Sequence, residues 1–380
     1  MKTPSTYVIA GAGGIAEAAG LLLAEWSAAP PIIYMGNRTL SKAQQVARWI
    51  RDGCSRPVTV KAFKLSTDNV PEAMEAILRE ADILLDCLPG GLAPKMARLA
   101  RDYQMHYANL TEYVAETEEI MDLASSAGTG FILQTGLAPG YINVLAHGLF
   151  QRFCRDFDVD KADKLHFKVG ALTNHAVAPH YYGFTWSPVG VATEYLKNAI
   201  AIREYERTNL LSLSERARIV IDGMAYEEDL TSGGAADLPV ALAGKVRSLD
   251  YKTLRYPGHY DWVEQQMASL GTSPDFIAAL QEKMESVIPH VEEDLVILYA
   301  AVEGPDKNGT LRRQEWAKKI YPMKVGKHML RAIQTTTAAP LLQSALLLLE
   351  KRQKGAILQS HITPAPFLNG TFVKRVYGSF

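Results

Sequence analysis

Cysteine is scarce in this chain: Cys54, Cys87 and Cys154 are the only three in 380 residues, and no two form a CxxC pair. That spacing excludes a disulfide framework and a cysteine-held zinc, and it fits a reducing compartment. An excess of charge is also missing, since 40 Lys and Arg face 41 Asp and Glu. Without a basic field there is nothing to release counterions from a polyphosphate, so nucleic acid is not an expected partner. The most apolar stretch near the start, 7–26, is broken by Gly11, Gly13, Gly14, Glu17 and Gly20, and it lacks a basic n-region and a small-residue cleavage site. No membrane span or export signal is expected from it. A metal is not expected either, because His175 and His180 stand five apart with no supporting carboxylate. A cytoplasmic soluble enzyme of two or three domains, at about 150 residues each, is what remains.

What is present is an alternation. Apolar strand-like runs at 7–10, 32–35, 58–63, 81–88, 106–110 and 131–134 are separated by helical patterns, among them the one at 15–26. Such alternation predicts an α/β fold with a Rossmann-type doubly wound parallel sheet, its ligands at the carboxyl ends of the strands. Past Gly140 the rhythm changes. Strands at 166–172, 216–221, 251–255 and 295–302, a helix at 274–284 and a hairpin turn at Asp306-Lys307-Asn308-Gly309 predict a second, α+β domain with mixed or antiparallel pairing. A long apolar helix at 339–352 is expected to be buried and to return to the first domain. The expected division is therefore 1–140, a Rossmann domain; 141–338, an α+β domain; and 339–380, a returning segment.

Gly11-Ala12-Gly13-Gly14-Ile15-Ala16 is a GxGxxA between a strand and a helix. Gly11 allows the tight turn, Gly13 admits a pyrophosphate to the helix N-terminus beside Gly14 and Ile15, and Ala16 lets the helix lie against the strand. The second strand ends in Asn37-Arg38-Thr39, followed by Lys42, where an NAD site normally carries a carboxylate. Nothing there repels a 2′-phosphate, while Arg38 offers a planar fork, Thr39 a hydroxyl and Lys42 a charge, so NADP is expected ahead of NAD. Cys87-Leu88-Pro89 ends the fourth strand where the nicotinamide half of a dinucleotide usually lies, with Cys87 a packing residue rather than a nucleophile. Asp86 beside it reads either as a base or as a cap for the loop.

The stretches Asp86-Cys87-Leu88-Pro89-Gly90-Gly91, Tyr107-Ala108-Asn109-Leu110-Thr111-Glu112-Tyr113, Gly136-Leu137-Ala138-Pro139-Gly140, Thr185-Trp186-Ser187-Pro188 and Tyr251-Lys252-Thr253-Leu254-Arg255-Tyr256-Pro257-Gly258-His259 occur in this order. Together they resemble the saccharopine dehydrogenase-like family, which includes saccharopine reductases, lysine 6-dehydrogenases and carboxynorspermidine dehydrogenases. The resemblance implies an NAD(P)-dependent oxidoreductase acting on a C–N bond of an amino-acid or polyamine derivative, and a homodimer formed through the second domain's sheet. Thr111 joins the cofactor-binding set on the same ground. The segment 331–340 lacks the acidic stretch and Thr-Gly pair of the lysine-oxidising members, which leaves the substrate open.

Hydride leaves a carbon bearing nitrogen only if the nitrogen is neutral, so a proton must be handled. His259 is the first candidate for that role, with Tyr256 and Arg255 beside it as catalytic residues; His175 and His180 come second. Arg255 is also the candidate for binding a substrate carboxylate, helped by Pro139 and Gly140 backbone and by Thr336, with Trp186 and Tyr182 holding an aliphatic stem or a cation. The plainer alternatives are a loop histidine bonded to backbone and an arginine in a structural ion pair. Two other functions fit the same residues: a non-catalytic NADP(H)-binding redox sensor, and an alcohol oxidoreductase similar to shikimate dehydrogenase at the cofactor site alone.

Overall fold

The computed structural model describes residues 5–111, 114–271 and 274–380. Glu112 and Tyr113 of the Tyr107–Tyr113 stretch lie outside them. The chain forms two compact units. One runs to Tyr141 and includes Met323–Leu330 and Gln334–Phe380; the other is Ile142–Pro322 with Arg331–Ile333.

The first unit opens with six strands: β1 (Thr6–Ala10), β2 (Ile32–Asn37), β3 (Thr59–Lys64), β4 (Ile83–Asp86), β5 (His106–Asn109) and β6 (Gly130–Ile132). All pair in parallel, in the order β6-β5-β4-β1-β2-β3. Between them run α1 (Gly14–Trp26), α2 (Leu40–Gly53), α3 (Glu72–Glu80), α4 (Ala93–Asp102) and α5 (Val114–Ser125). Strands covered on both faces read as unbroken apolar runs, which is why β1 and β4 were legible. Val8, Leu84, Met96, Tyr107 and Phe131 belong to one buried cluster. The fold is the expected doubly wound one, and its strand order reverses between β1 and β4. The fourth strand stops at Asp86 rather than Leu88, because Asp86 Oδ1 accepts the Leu88 N–H at 3.0 Å and turns the chain.

The second unit begins with α6 (Tyr141–Phe157) and contains β7 (Ala162–Leu172), α7 (Pro188–Leu196), β8 (Ala199–Arg203), β9 (Glu206–Leu210), β10 (Ala217–Ile221), β11 (Met224–Leu230), α8 (Leu238–Ala241), β12 (Val246–Arg255), α9 (His259–Ser269), α10 (Phe276–Glu285), β13 (Leu295–Pro305) and β14 (Leu311–Ile320). Its mixed sheet runs β10-β11-β12-β7-β13-β14, with β8 beside β12 and β9 beside β8. Among the described residues only β7 and β12 of its strands pair in parallel; the other strand pairs are antiparallel. Leu172, Tyr182, Phe184, Tyr195, Leu254, Tyr260, Trp262 and Leu280 share a second buried cluster. Asp306 makes the expected hairpin by accepting the N–H groups of Asn308 and Thr310 on Oδ1, at 2.9 and 3.0 Å, with Gly309 at φ +81.

The chain then forms a short hairpin, β15 (Met323–Val325) with β16 (His328–Leu330), the helix α11 (Ala332–Lys351), and β17 (Gly355–Ile357), which pairs in parallel with β6. The return to the first unit thus begins at Met323, ahead of the 339 boundary read from sequence. The helix also starts seven residues ahead of the 339 read from sequence. Both carboxylate oxygens of Asp294 accept its first N–H groups, from Ala332 and Ile333, at 2.7 Å each, and Pro340 sits inside it. By length and composition α11 is apolar enough to cross a membrane, and 83% of that window is buried inside the protein.

Candidate active site

The reversal of strand order leaves a crevice outside the carboxyl ends of β1 and β4. Ala10 and Asp86 are register partners there, and the Cys87 N–H donates to Ala10 O at 2.9 Å. Gly11 turns the chain at φ +125, and a Cβ on it would lie 2.9 Å from Cys87 O. Only glycine meets both demands. Gly13 is exposed, a Cβ on it would meet nothing within 4 Å, and no side chain caps α1, whose first turn carries Gly14 and Ile15. Uncapped amides at a helix N-terminus beside open space form a cradle for a phosphate. Ala16, 1% exposed, packs the helix down, and Gln334 Nε2 donates to Gly14 O at 2.9 Å.

Where β2 ends, Asn37 Oδ1 accepts the Thr39 N–H at 2.9 Å, an Asx turn that fixes the start of α2. Arg38, Thr39 and Lys42 are exposed. At the end of β4, Asp86 is 2% exposed and also accepts the Tyr107 O–H at 2.8 Å. Burial pushes its carboxyl up to about 6 despite those two donors. Burial likewise raises the Cys87 thiol, with Asp86 adding to the effect, so Cys87 stays protonated and packs. Leu88 is half-buried, Pro89 exposed and Thr111 buried. In register with Asp86 stands Asn109, whose buried Nδ2 has no hydrogen-bond partner.

In the second unit the geometry centres on Arg255, 1% exposed at the end of β12. Its Nε donates to Tyr195 Oη at 2.8 Å and its Nη1 to Leu254 O at 3.0 Å, while Nη2 is buried without a hydrogen-bond partner, 3.8 Å from Glu194 Oε2. The guanidinium lies 4.8 Å from the Tyr182 ring centroid and 5.6 Å from that of Tyr195. Tyr182 Oη and Thr185 Oγ1 are buried without partners as well. His259 opens α9 with no exposed surface, its Nδ1 2.6 Å from His180 O and its Nε2 2.9 Å from Tyr195 Oη. A carbonyl can only accept, so Nδ1 carries the proton and Nε2 accepts from Tyr195. Burial, and then the Arg255 charge, push the His259 imidazole down to about 3.

That value corrects the expectation that His259 titrates near neutrality. It is a neutral link in a chain running Arg255 Nε–H to Tyr195 O–H to His259 Nε2, anchored on His180 O. Tyr256 is not part of that chain. Its ring centroid lies 5.7 Å from that of Tyr226, and burial raises its phenol to about 12. His175 is exposed and pairs with Glu293 at 2.6 Å. His180 lends Nδ1 to the Tyr182 N–H at 3.2 Å.

Family models match almost the whole chain: the saccharopine dehydrogenase NADP binding domain over residues 7–133 and the saccharopine dehydrogenase C-terminal domain over residues 136–375. The chain belongs to the saccharopine dehydrogenase family. It is thereby a member of a family of NAD(P)-binding oxidoreductases. Among solved structures it is similar to apo histidine-tagged saccharopine dehydrogenase (L-Glu forming) from Saccharomyces cerevisiae, at 16% identity and TM-score 0.77, with 98% of each chain covered. It is also similar to the homospermidine synthase of Legionella pneumophila in complex with NAD, at 14% identity and TM-score 0.69, covering 99% of this chain and 90% of that one. At such identities the likeness speaks for the fold.

Within the first unit, the structure sets Gly11 against Cys87, so the turn that leads through Gly13, Gly14 and Ile15 into α1 leaves the sheet beside the chain that continues into Leu88 and Pro89. Pro139 and Gly140 close a tight turn, with Gly140 at φ +135 and the Tyr141 N–H donating to Gly136 O at 2.8 Å. Thr336 is buried within α11, its carbonyl accepting the Tyr377 O–H at 2.5 Å. Trp186 is half-buried in the second unit, where its ring leaves no room for a Cβ on Gly190. Sequence reasoning gave no role to Asn109, Thr185 and Tyr195, and it read Tyr182 as a wall for an aliphatic stem or a cation. Buried polar residues in apolar surroundings were the one available signal, and spacing could not show which of their atoms lack partners.

Proposed function

We propose that the protein is an NADP-dependent oxidoreductase that transfers hydride at a C–N bond of an amino-acid derivative, or of a polyamine derivative bearing a carboxylate. The observation that carries this reading is the buried Nη2 of Arg255, which makes no hydrogen bond although Glu194 Oε2 lies 3.8 Å away, on a guanidinium set 4.8 Å from the Tyr182 ring centroid. Leaving such groups unmade costs about 1–3 kcal/mol each, more when charged. A carboxylate oxygen that accepts from Nη2 removes that cost.

The residues present fit the dinucleotide. The α1 N-terminus and Gly13 would hold its pyrophosphate, Cys87-Leu88-Pro89 its nicotinamide side, and Arg38 with Lys42 a 2′-phosphate. When bound, the nicotinamide supplies or accepts the hydride. The protein's own residues orient the substrate. Tyr195, held by His259, fixes the Arg255 fork by accepting from Nε, so that Nη2 is aimed in one direction before a ligand arrives. His259 positions and does not exchange protons. A homodimer in the cytoplasm is proposed from the family resemblance, and light scattering at working concentration checks the dimer.

The test is isotopic. NADPH deuterated at nicotinamide C4, supplied with a keto acid and an amine, should yield a product one mass unit heavier at the carbon bonded to nitrogen. Deuterium carried to an alcohol carbon would overturn the C–N assignment, and deuterium retained throughout by the dinucleotide would favour a non-catalytic NADP(H) sensor.

A further inference from the structure

Built from other residues than either of these sites, a cavity of about 230 Å³ lies on one face of the second unit's sheet, lined by five Lys or Arg side chains, Lys164, Lys168, Arg218, Lys252 and Arg313, against Glu228 and Glu303. Its floor is the unusual part. Lys168 on β7 and Lys252 on β12 are direct register partners on adjacent strands, 5% and 7% exposed. Like charges placed side by side repel, and burial worsens it. Both reach one carboxylate oxygen, Glu228 Oε1, at 2.9 and 4.0 Å. Lys252 also donates to Glu215 O at 2.5 Å.

The other acids around the cavity already hold partners, Glu315 with Arg313 at 3.2 Å among them. Asp250 takes His166 at 2.7 Å and Arg203 at 2.9 Å, Glu215 takes Arg203 at 2.6 Å with Lys252 at 3.9 Å, and Glu303 takes Lys164 at 3.3 Å and Arg313 at 3.2 Å. Arg218, 76% exposed in its side chain, stands at the rim 3.7 Å from Glu227. The rim cations thus each have an acid within 4 Å, while on the floor Lys168 takes Glu228 Oε1 and leaves Lys252 with no carboxylate closer than 3.9 Å. One more atom defines the ligand. Glu228 is 7% exposed, and its Oε2 is buried with no hydrogen-bond partner. A group that seats here must bring negative charge to the lysines and a hydrogen to Glu228.

We infer that this cavity is a binding site for hydrogen phosphate or a phosphate monoester that still carries one proton, distinct from the dinucleotide crevice. The unprotonated oxygens accept from Lys168 and Lys252, and the P–OH donates to Glu228 Oε2. Sulfate has the same shape but no hydrogen to donate, so it would set a lone pair against a buried carboxylate.

Calorimetric titration of the full chain with inorganic phosphate, glycerol phosphate and sulfate separates these cases. Phosphate should bind at millimolar concentration or below and sulfate at least about tenfold more weakly, the scale of a hydrogen bond to a charged group. Glu228→Gln, whose amide can donate, should bring the two anions to within a few-fold. Arg218→Ala, an exposed change that keeps the fold intact, should weaken phosphate several-fold; Lys252→Met should abolish it. Glycerol phosphate binding as well as phosphate assigns the site to esters, and phosphate alone assigns it to the free ion. Equal binding of sulfate and phosphate by the unmodified protein, or no phosphate binding at millimolar concentration, would overturn the inference.

Discussion

His259 gives the sharpest physical prediction. Its imidazole moves from an ordinary 6.5 to about 3 on folding, so below pH 6.5 the unfolded chain binds a proton that the folded protein refuses. Stability contributed by keeping this group neutral is fully present above 6.5 and lost as pH falls toward 3. At one proton the slope is about 1.36 kcal/mol per pH unit, so about 2.7 kcal/mol is lost between pH 7.5 and pH 4.5. Asp86 works in the opposite sense. Its carboxyl is raised to about 6, so its contribution is present below the unfolded carboxylate range and lost as pH rises through about 6. Comparing the unmodified protein with His259→Gln cancels Asp86 and every other group the two share. Denaturant unfolding of both proteins at the two pH values should show the stability gap between them shrinking by about 2–3 kcal/mol at the acid value. A gap of the same size at both would mean that His259 is not held neutral, and the positioning chain through Tyr195 would fall with it.

Arg38→Ala should weaken NADP by about tenfold or more while leaving NAD within a few-fold, read from dinucleotide fluorescence titrations; an unchanged preference removes Arg38 from the 2′-phosphate site. Gly11→Ala must hold alanine at φ +125 with its Cβ 2.9 Å from Cys87 O, which should cost about 1–3 kcal/mol in strain and weaken either dinucleotide. A melt and a titration indistinguishable from the unmodified protein would refute that. Tyr195→Phe removes the acceptor of Arg255 Nε and should lower kcat/KM by about tenfold or more with NADPH affinity unchanged. Full activity in this variant would show that the fork needs no positioning.

The first unit was legible because its signals are local. GxGxxA announces itself by small residues at fixed spacing, and β1 and β4 by apolar runs bounded by glycine and proline. The second unit depends on partners far apart in sequence. His259 looked like a general base until Tyr195 and His180 enclosed it, and no spacing rule ties residues 180, 195 and 259 together. The start of α11 was hidden because its cap, Asp294, precedes it by 38 positions. β9 and β14 escaped notice for a different reason. Their strands, ERTNL and LRRQEWAKKI, are mostly polar or charged and imitate a solvated segment. The paired lysines at 168 and 252 belong to the same class, since strand register alone brings them side by side.

The most direct measurement is the change in nicotinamide absorbance with NADP(H), and with NAD(H) in parallel, across lysine, saccharopine, carboxynorspermidine and their carbonyl-plus-amine precursors. Turnover of a carboxylate-bearing member, with the higher kcat/KM for NADP(H), is the expected result. Tight NADPH binding with no turnover anywhere in the panel, or turnover that favours NAD(H), would contradict the proposed function.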